Sequence, residues 1–136
     1  MQLFFKIFII LLFTLNVAHS KQLEINISQM VNLLSDNAIL IDIRREEEWK
    51  ETGIIDGSIT STLFNKNGST NLMEFLSEVK RSATPDQPIL LICRTGRRTK
   101  VAAQYILENT EFKNIFSVSG GIIKWKAKGL KTITYP

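Results

Sequence analysis

The residues best equipped for chemistry are six in a row, Cys93-Arg94-Thr95-Gly96-Arg97-Arg98. Cys93 is the only cysteine among 136 residues, and the only histidine is His19. A single cysteine excludes an intramolecular disulfide framework and any multi-thiolate zinc or iron–sulfur site. The six residues follow the apolar run Ile89–Ile92 and precede an amphipathic stretch that begins near Arg98. A tight strand–loop–helix turn of this kind points successive backbone N–H groups inward and, with the helix N-terminus, binds anions. A cysteine sulfur at its centre is stabilised as the thiolate, the form that acts as nucleophile. This activation needs no imidazole. Arg94, Arg97 and Arg98 add the charge to hold an anionic substrate, and Gly96 permits backbone geometry that a larger residue resists.

The plain structural reading is a buried, inert cysteine followed by a basic helix start. Three features favour chemistry. The cysteine stands at the end of the strand and not inside it. Three arginines crowd a helix N-terminus, where cations are disfavoured unless an anion joins them. A glycine lies in mid-loop.

The elements around this loop are legible from periodicity. Leu23–Ile27 alternates at period two and reads as a first strand. Ser28 caps a helix through Leu34 that turns Met30, Val31 and Leu34 to one face. Ala38–Ile43 is a nearly continuous apolar run, as in a parallel strand covered on both faces. Glu46–Glu51 reads as a helical turn with acids at its N-terminus, and Ser58–Thr62 as a weak strand. Asn71–Arg81 is amphipathic through Leu72, Phe75, Leu76 and Val79. Arg98–Leu107 is a helix with Val101, Ala102, Tyr105 and Ile106 facing in. Ile115–Val118 is the last strand, broken by Gly120-Gly121, and Ile122–Lys128 is a closing helix stopped by Gly129. Alternating strands and helices predict an α/β fold with a mainly parallel sheet. Ligands of such sheets bind beyond the carboxyl ends of the strands, where Cys93 lies.

The first twenty residues have a different character. Lys6 is their only charge, Ile7–Leu15 is apolar, and Ala18-His19-Ser20 places small residues where a signal peptidase reads. This is the layout of a secretory signal peptide with cleavage near Ser20. Ile7 to Ala18, interrupted by Thr14 and Asn16, falls short of the ~20 apolar residues of a membrane span. Residues 1–20 are therefore expected to be a leader and 21–136 a single exported domain, periplasmic in a bacterial setting. The mature domain then has no histidine. Its net charge falls from +4 to +3, because the leader carries Lys6 and no acid. That balance, without basic stripes interleaved with aromatics, predicts no nucleic-acid partner. Contact with the membrane is expected only during export.

The loop Cys93–Arg98 resembles the active-site loop of the rhodanese-like sulfurtransferases. Two further stretches agree in order and spacing. Leu40-Ile41-Asp42-Ile43-Arg44, continuing through Glu47, Trp49, Gly53 and Gly57, resembles the family's N-terminal signature. Ser119-Gly120-Gly121-Ile122-Ile123-Lys124-Trp125, ending at Gly129, resembles its C-terminal signature. One departure falls in the first signature, where the family usually reads Gly-His-Ile-Pro-Gly-Ala. Here the histidine and proline positions carry Ile54 and Asp56, while Gly53 and Gly57 remain.

The resemblance implies a single rhodanese-like domain, a five-stranded mainly parallel sheet flanked by helices on both faces. It implies a Cys93 persulfide, formed from a small anionic donor such as thiosulfate and discharged to cyanide, a thiol or a protein cysteine, with no cofactor and no metal. Arg94, Thr95, Gly96, Arg97 and Arg98 would bind the substrate. Asp42 and Arg44 would support the loop, a reading that competes with an exposed acid at a strand end. The same fold hosts phosphatases and arsenate reductases with a Cys-x5-Arg loop, but the arginine's place is taken here by Thr99. A binding or redox-sensing module is the remaining alternative.

Overall fold

The computed structural model describes residues 22–136; the expected leader lies outside the described residues. Ten elements alternate along the chain. They are β1 (Glu24–Ile25), α1 (Ile27–Ser35), β2 (Ile39–Asp42), α2 (Glu46–Thr52) and β3 (Ile59–Thr60), then α3 (Leu72–Ser82), β4 (Ile89–Ile92), α4 (Arg97–Asn109), β5 (Ile115–Val118) and α5 (Gly121–Ala127). The strands form one sheet in the order β1-β5-β4-β2-β3, and every neighbouring pair is parallel.

Alternation along β4 divides the core in two. Ile89, Leu91 and then Cys93 face the side covered by α3 and α4, with Phe75, Val79, Ala102, Ala103 and Ile106. Leu90 and Ile92 face α1 and α5, with Met30, Ile122 and Trp125. All four β4 residues are fully buried, as their unbroken hydrophobicity demands. β4 is also the central strand, paired on both sides.

The boundaries shift where side chains compete with the backbone pattern. β1 stops at Ile25 because Asn26, not Ser28, caps α1. The Asn26 side chain accepts from the Gln29 N–H at 2.8 Å, and the Gln29 side chain accepts from the Asn26 N–H at 2.9 Å. This reciprocal capping box starts the helix early and turns Ile27 into the core. Val31, expected inward, is exposed. On α4 the buried face is Thr99, Ala102, Ala103 and Ile106, a helical i, i+3, i+4, i+7 stripe. Val101 and Tyr105, also expected inward, lie off that stripe and are exposed.

The C-terminal residues return to the sheet's β2 side. Ile133 and Ile54 exchange backbone hydrogen bonds of 2.8 and 2.9 Å. The Thr132 hydroxyl donates to Thr52 O, and the Tyr135 ring packs on Trp49 with centroids 5.1 Å apart. Among the described residues, no helix is long and apolar enough to cross a membrane.

Phe75 is fully buried between α3 and the sheet. Phe75→Ala is expected to lower the unfolding free energy by about 3–5 kcal/mol, read as a fall in the urea midpoint at unchanged slope.

Candidate active site

Cys93 follows β4 directly and is 1% exposed. The loop curls round its sulfur. The Gly96 N–H donates to Sγ at 3.2 Å, and the Thr99 hydroxyl lies 3.6 Å away. Thr99 Oγ1 is 2.7 Å from Ser117 Oγ on β5 and also donates to Gly96 O. A buried pair of hydroxyls thus stands behind the sulfur, on the side away from solvent. Neither Thr99 nor Ser117 stood out in the sequence as a site residue. The only signal was Thr99 in the place of a phosphatase arginine.

Gly96 has φ +95, a left-handed conformation that side chains rarely adopt. It sits at the N-terminus of α4 and brings that helix's positive end to the sulfur. The neighbouring support is α5. Its Ile122 and Ile123 amides donate to Cys93 O and Arg94 O at 2.9 and 3.2 Å. With these carbonyls held from outside, the loop is turned so that the Gly96 amide faces the sulfur. The approach is so close that a Cβ on Gly121 would lie 2.4 Å from Cys93 O and 2.5 Å from Arg94 O.

The three arginines differ in their surroundings. Arg98 makes a two-point ion pair with Glu48 on α2, at 2.7 and 2.8 Å. That hydrogen bond holds the Arg98 guanidinium above its usual pKa, with smaller contributions from Cys93 and Asp42. For Glu48, burial pushes the carboxyl up, but the bonds from Arg98 and the Arg45 amide outweigh it and leave the pKa lowered. Arg94 and Arg97 are exposed, and neither has an acidic partner among the described residues. Arg94, Thr95, Arg97 and Arg98 line an open basin of about 460 Å³ with Phe64 and Val101. The loop therefore presents two uncommitted guanidinium groups to the basin and one that is anchored.

Asp42 and Arg44 are both buried and pair at 2.7 Å. The other partners of the Arg44 guanidinium are Thr52 Oγ1, Glu48 O and Gly53 O. The pair thus braces α2 and the turn after it. Its link to the cysteine loop runs through Glu48, which α2 carries to Arg98. Asp42 is not an exposed strand-end acid.

A family model, Rhodanese-like domain, matches residues 26–128. The chain belongs to the rhodanese-like family. It is 35% identical over 95 residues to the uncharacterized protein RP600 of Rickettsia prowazekii, covering 65% of this chain and 72% of that protein. It is 31% identical over 104 residues to the thiosulfate sulfurtransferase GlpE of Pseudoalteromonas translucida, covering 76% and 89%. Its fold is similar to that of the polysulfide-sulfur transferase homodimer from Wolinella succinogenes. That match has a TM-score of 0.63 and 27% identity, and covers 84% of this chain and 80% of that one. The family includes sulfurtransferases, and the fold is the rhodanese-like parallel α/β fold.

Two outcomes follow from this geometry. Gly121→Ala forces a methyl group into the cysteine loop and is expected to destabilise the protein by more than about 1 kcal/mol, read by thermal unfolding. Glu48 has a lowered pKa, so its stabilisation is present above its ordinary value of 4.5 and is lost as pH falls below it. Glu48→Gln is therefore expected to lower Tm near neutral pH, and the gap to wild type to narrow on acidification to about pH 3.

Proposed function

We propose that this protein is a sulfurtransferase that carries a sulfane sulfur on Cys93. The observation that supports this reading is the seating of the sulfur. It receives a fixed backbone N–H at 3.2 Å and faces a buried hydroxyl at 3.6 Å, beneath a loop with two arginines that have no acidic partner among the described residues. The Gly96 N–H, at the positive end of α4, favours negative charge on the sulfur without an imidazole. Arg94 and Arg97 suit a small dianion such as thiosulfate, the donor named for the similar GlpE.

In the first half-reaction the Cys93 thiolate attacks the outer sulfur of thiosulfate. The S–S bond of the donor breaks, sulfite leaves with the electron pair, and Cys93 becomes a persulfide. In the second, the acceptor nucleophile attacks the terminal sulfur. The Cys93 thiolate leaves, and with cyanide the product is thiocyanate. Each half-reaction transfers one sulfur and needs no outside oxidant or reductant. Kinetics are ping-pong. Thr99 supports this chemistry over phosphate-ester hydrolysis, because a phosphatase loop needs an arginine there to embrace the tetrahedral oxyanion. We further read residues 1–20 as a cleaved leader, which places the reaction outside the cytoplasm.

The test is a thiosulfate:cyanide assay beside intact-mass measurement. Thiosulfate is expected to add about 32 Da, one sulfur atom, to the wild type and nothing to Cys93→Ser, which also loses thiocyanate production. Turnover of an aryl phosphate with no sulfur uptake from thiosulfate would overturn the reading.

A further inference from the structure

Beside the basin lies a second, apolar groove of about 260 Å³ between α3 and α4, lined by Leu63, Phe64, Leu72, Phe75, Val101 and Tyr105. Phe64 and Val101 line both the groove and the basin, so the two are continuous. The groove is flanked by side chains the core does not use. Val101 is 62% exposed and Tyr105 is 42% exposed, one turn apart on α4. Contiguous exposed apolar surface, unlike singly scattered side chains, marks an interaction site or a binding groove. Aromatic residues such as Tyr105 are enriched where proteins meet.

We propose that this groove selects the sulfur acceptor, which is a peptide segment of a partner protein carrying its cysteine between an acidic residue and a pair of large apolar residues. The proposal rests on the sulfurtransferase reading and adds the class of acceptor. Charge complementarity sets one end of the segment, because Arg94 and Arg97 have no acidic partner among the described residues. The apolar groove sets the other end. From the start of α4 at Arg97 to Tyr105 is about 12 Å at the helical rise. An extended peptide covers that distance in three to four residues, at about 3.3 Å each. A strand or turn laid across α4 would occupy both the basin and the groove. The transfer conserves atoms and charge. The acceptor thiolate attacks the terminal sulfur of the Cys93 persulfide, the Cys93–sulfur bond breaks, and the Cys93 thiolate is released as the acceptor becomes a persulfide.

The test uses protein loaded with sulfur from thiosulfate and two synthetic peptides. In one, an aspartate precedes the cysteine, and leucine and phenylalanine stand three and four positions after it. In the other, serines replace those two apolar residues. Wild type is expected to transfer sulfur to the first peptide with a kcat/KM about tenfold or more above the second. Tyr105→Glu is expected to remove that preference by raising KM, while thiosulfate:cyanide turnover and Tm stay at wild-type values. Equal use of the two peptides by loaded wild type, or a preference that survives Tyr105→Glu, overturns the proposal and leaves the sulfurtransferase reading standing. Failure of thiosulfate to load Cys93 overturns both.

Discussion

Two hydrogen bonds join the first turn of α5 to the carbonyls of Cys93 and Arg94, and much of the site depends on them. A loop between a buried strand and a helix has carbonyls as well as amides to satisfy. If its carbonyls turned inward, they would repel an anionic sulfur. The α5 amides hold them outward, so that the Gly96 N–H can face Sγ. This arrangement requires backbones in near contact, which is why Gly121 packs on the Cys93 and Arg94 carbonyls and Gly96 on Val118 O and the Gly120 amide. The C-terminal helix is thus part of the site's architecture, although none of its side chains is needed at the sulfur.

The electrostatics follow a similar division of labour. A helix N-terminus carries partial positive charge, and cations placed there are disfavoured. Arg97 and Arg98 begin α4 nonetheless. Glu48 compensates Arg98 by a partly buried two-point pair, and in doing so ties α2 to α4. The remaining guanidinium groups, on Arg94 and Arg97, are left for an anion. The Asp42–Arg44 pair is the base on which this stands, because it fixes the α2 segment that carries Glu48.

The sequence revealed elements governed by strong periodicity. The run ILLI could only be a buried strand, and Cys93 at its end could only be near the ligand face of a parallel sheet. The order and spacing of the three signatures pointed to the family that the comparisons establish. Less was legible where two segments distant in sequence meet. Ser117 behind Thr99, Glu48 against Arg98, and Gly121 against Cys93 O are tertiary contacts with no local pattern. Val101 and Tyr105 misled for a related reason. Their spacing fits a helix face, but the core takes only the narrower stripe through Ala102, Ala103 and Ile106. The end of β1 and the start of α1 turned on a side-chain contest that Asn26 and Gln29 win together.

The final residues form a strap across the end of α2 and the turn that follows it. Ile133 pairs with Ile54, Thr132 bonds Thr52 O, and Tyr135 covers Trp49. Thr52 and Gly53 are also partners of the buried Arg44 guanidinium. The tail therefore closes the molecule at a point two steps from the cysteine loop. Proteolytic clipping before Thr132 would free the turn at Gly53 and admit water to a charge that the fold keeps dry. The tail thus helps keep the Asp42–Arg44 pair, and the Glu48 anchor on α2, in register with the sulfur.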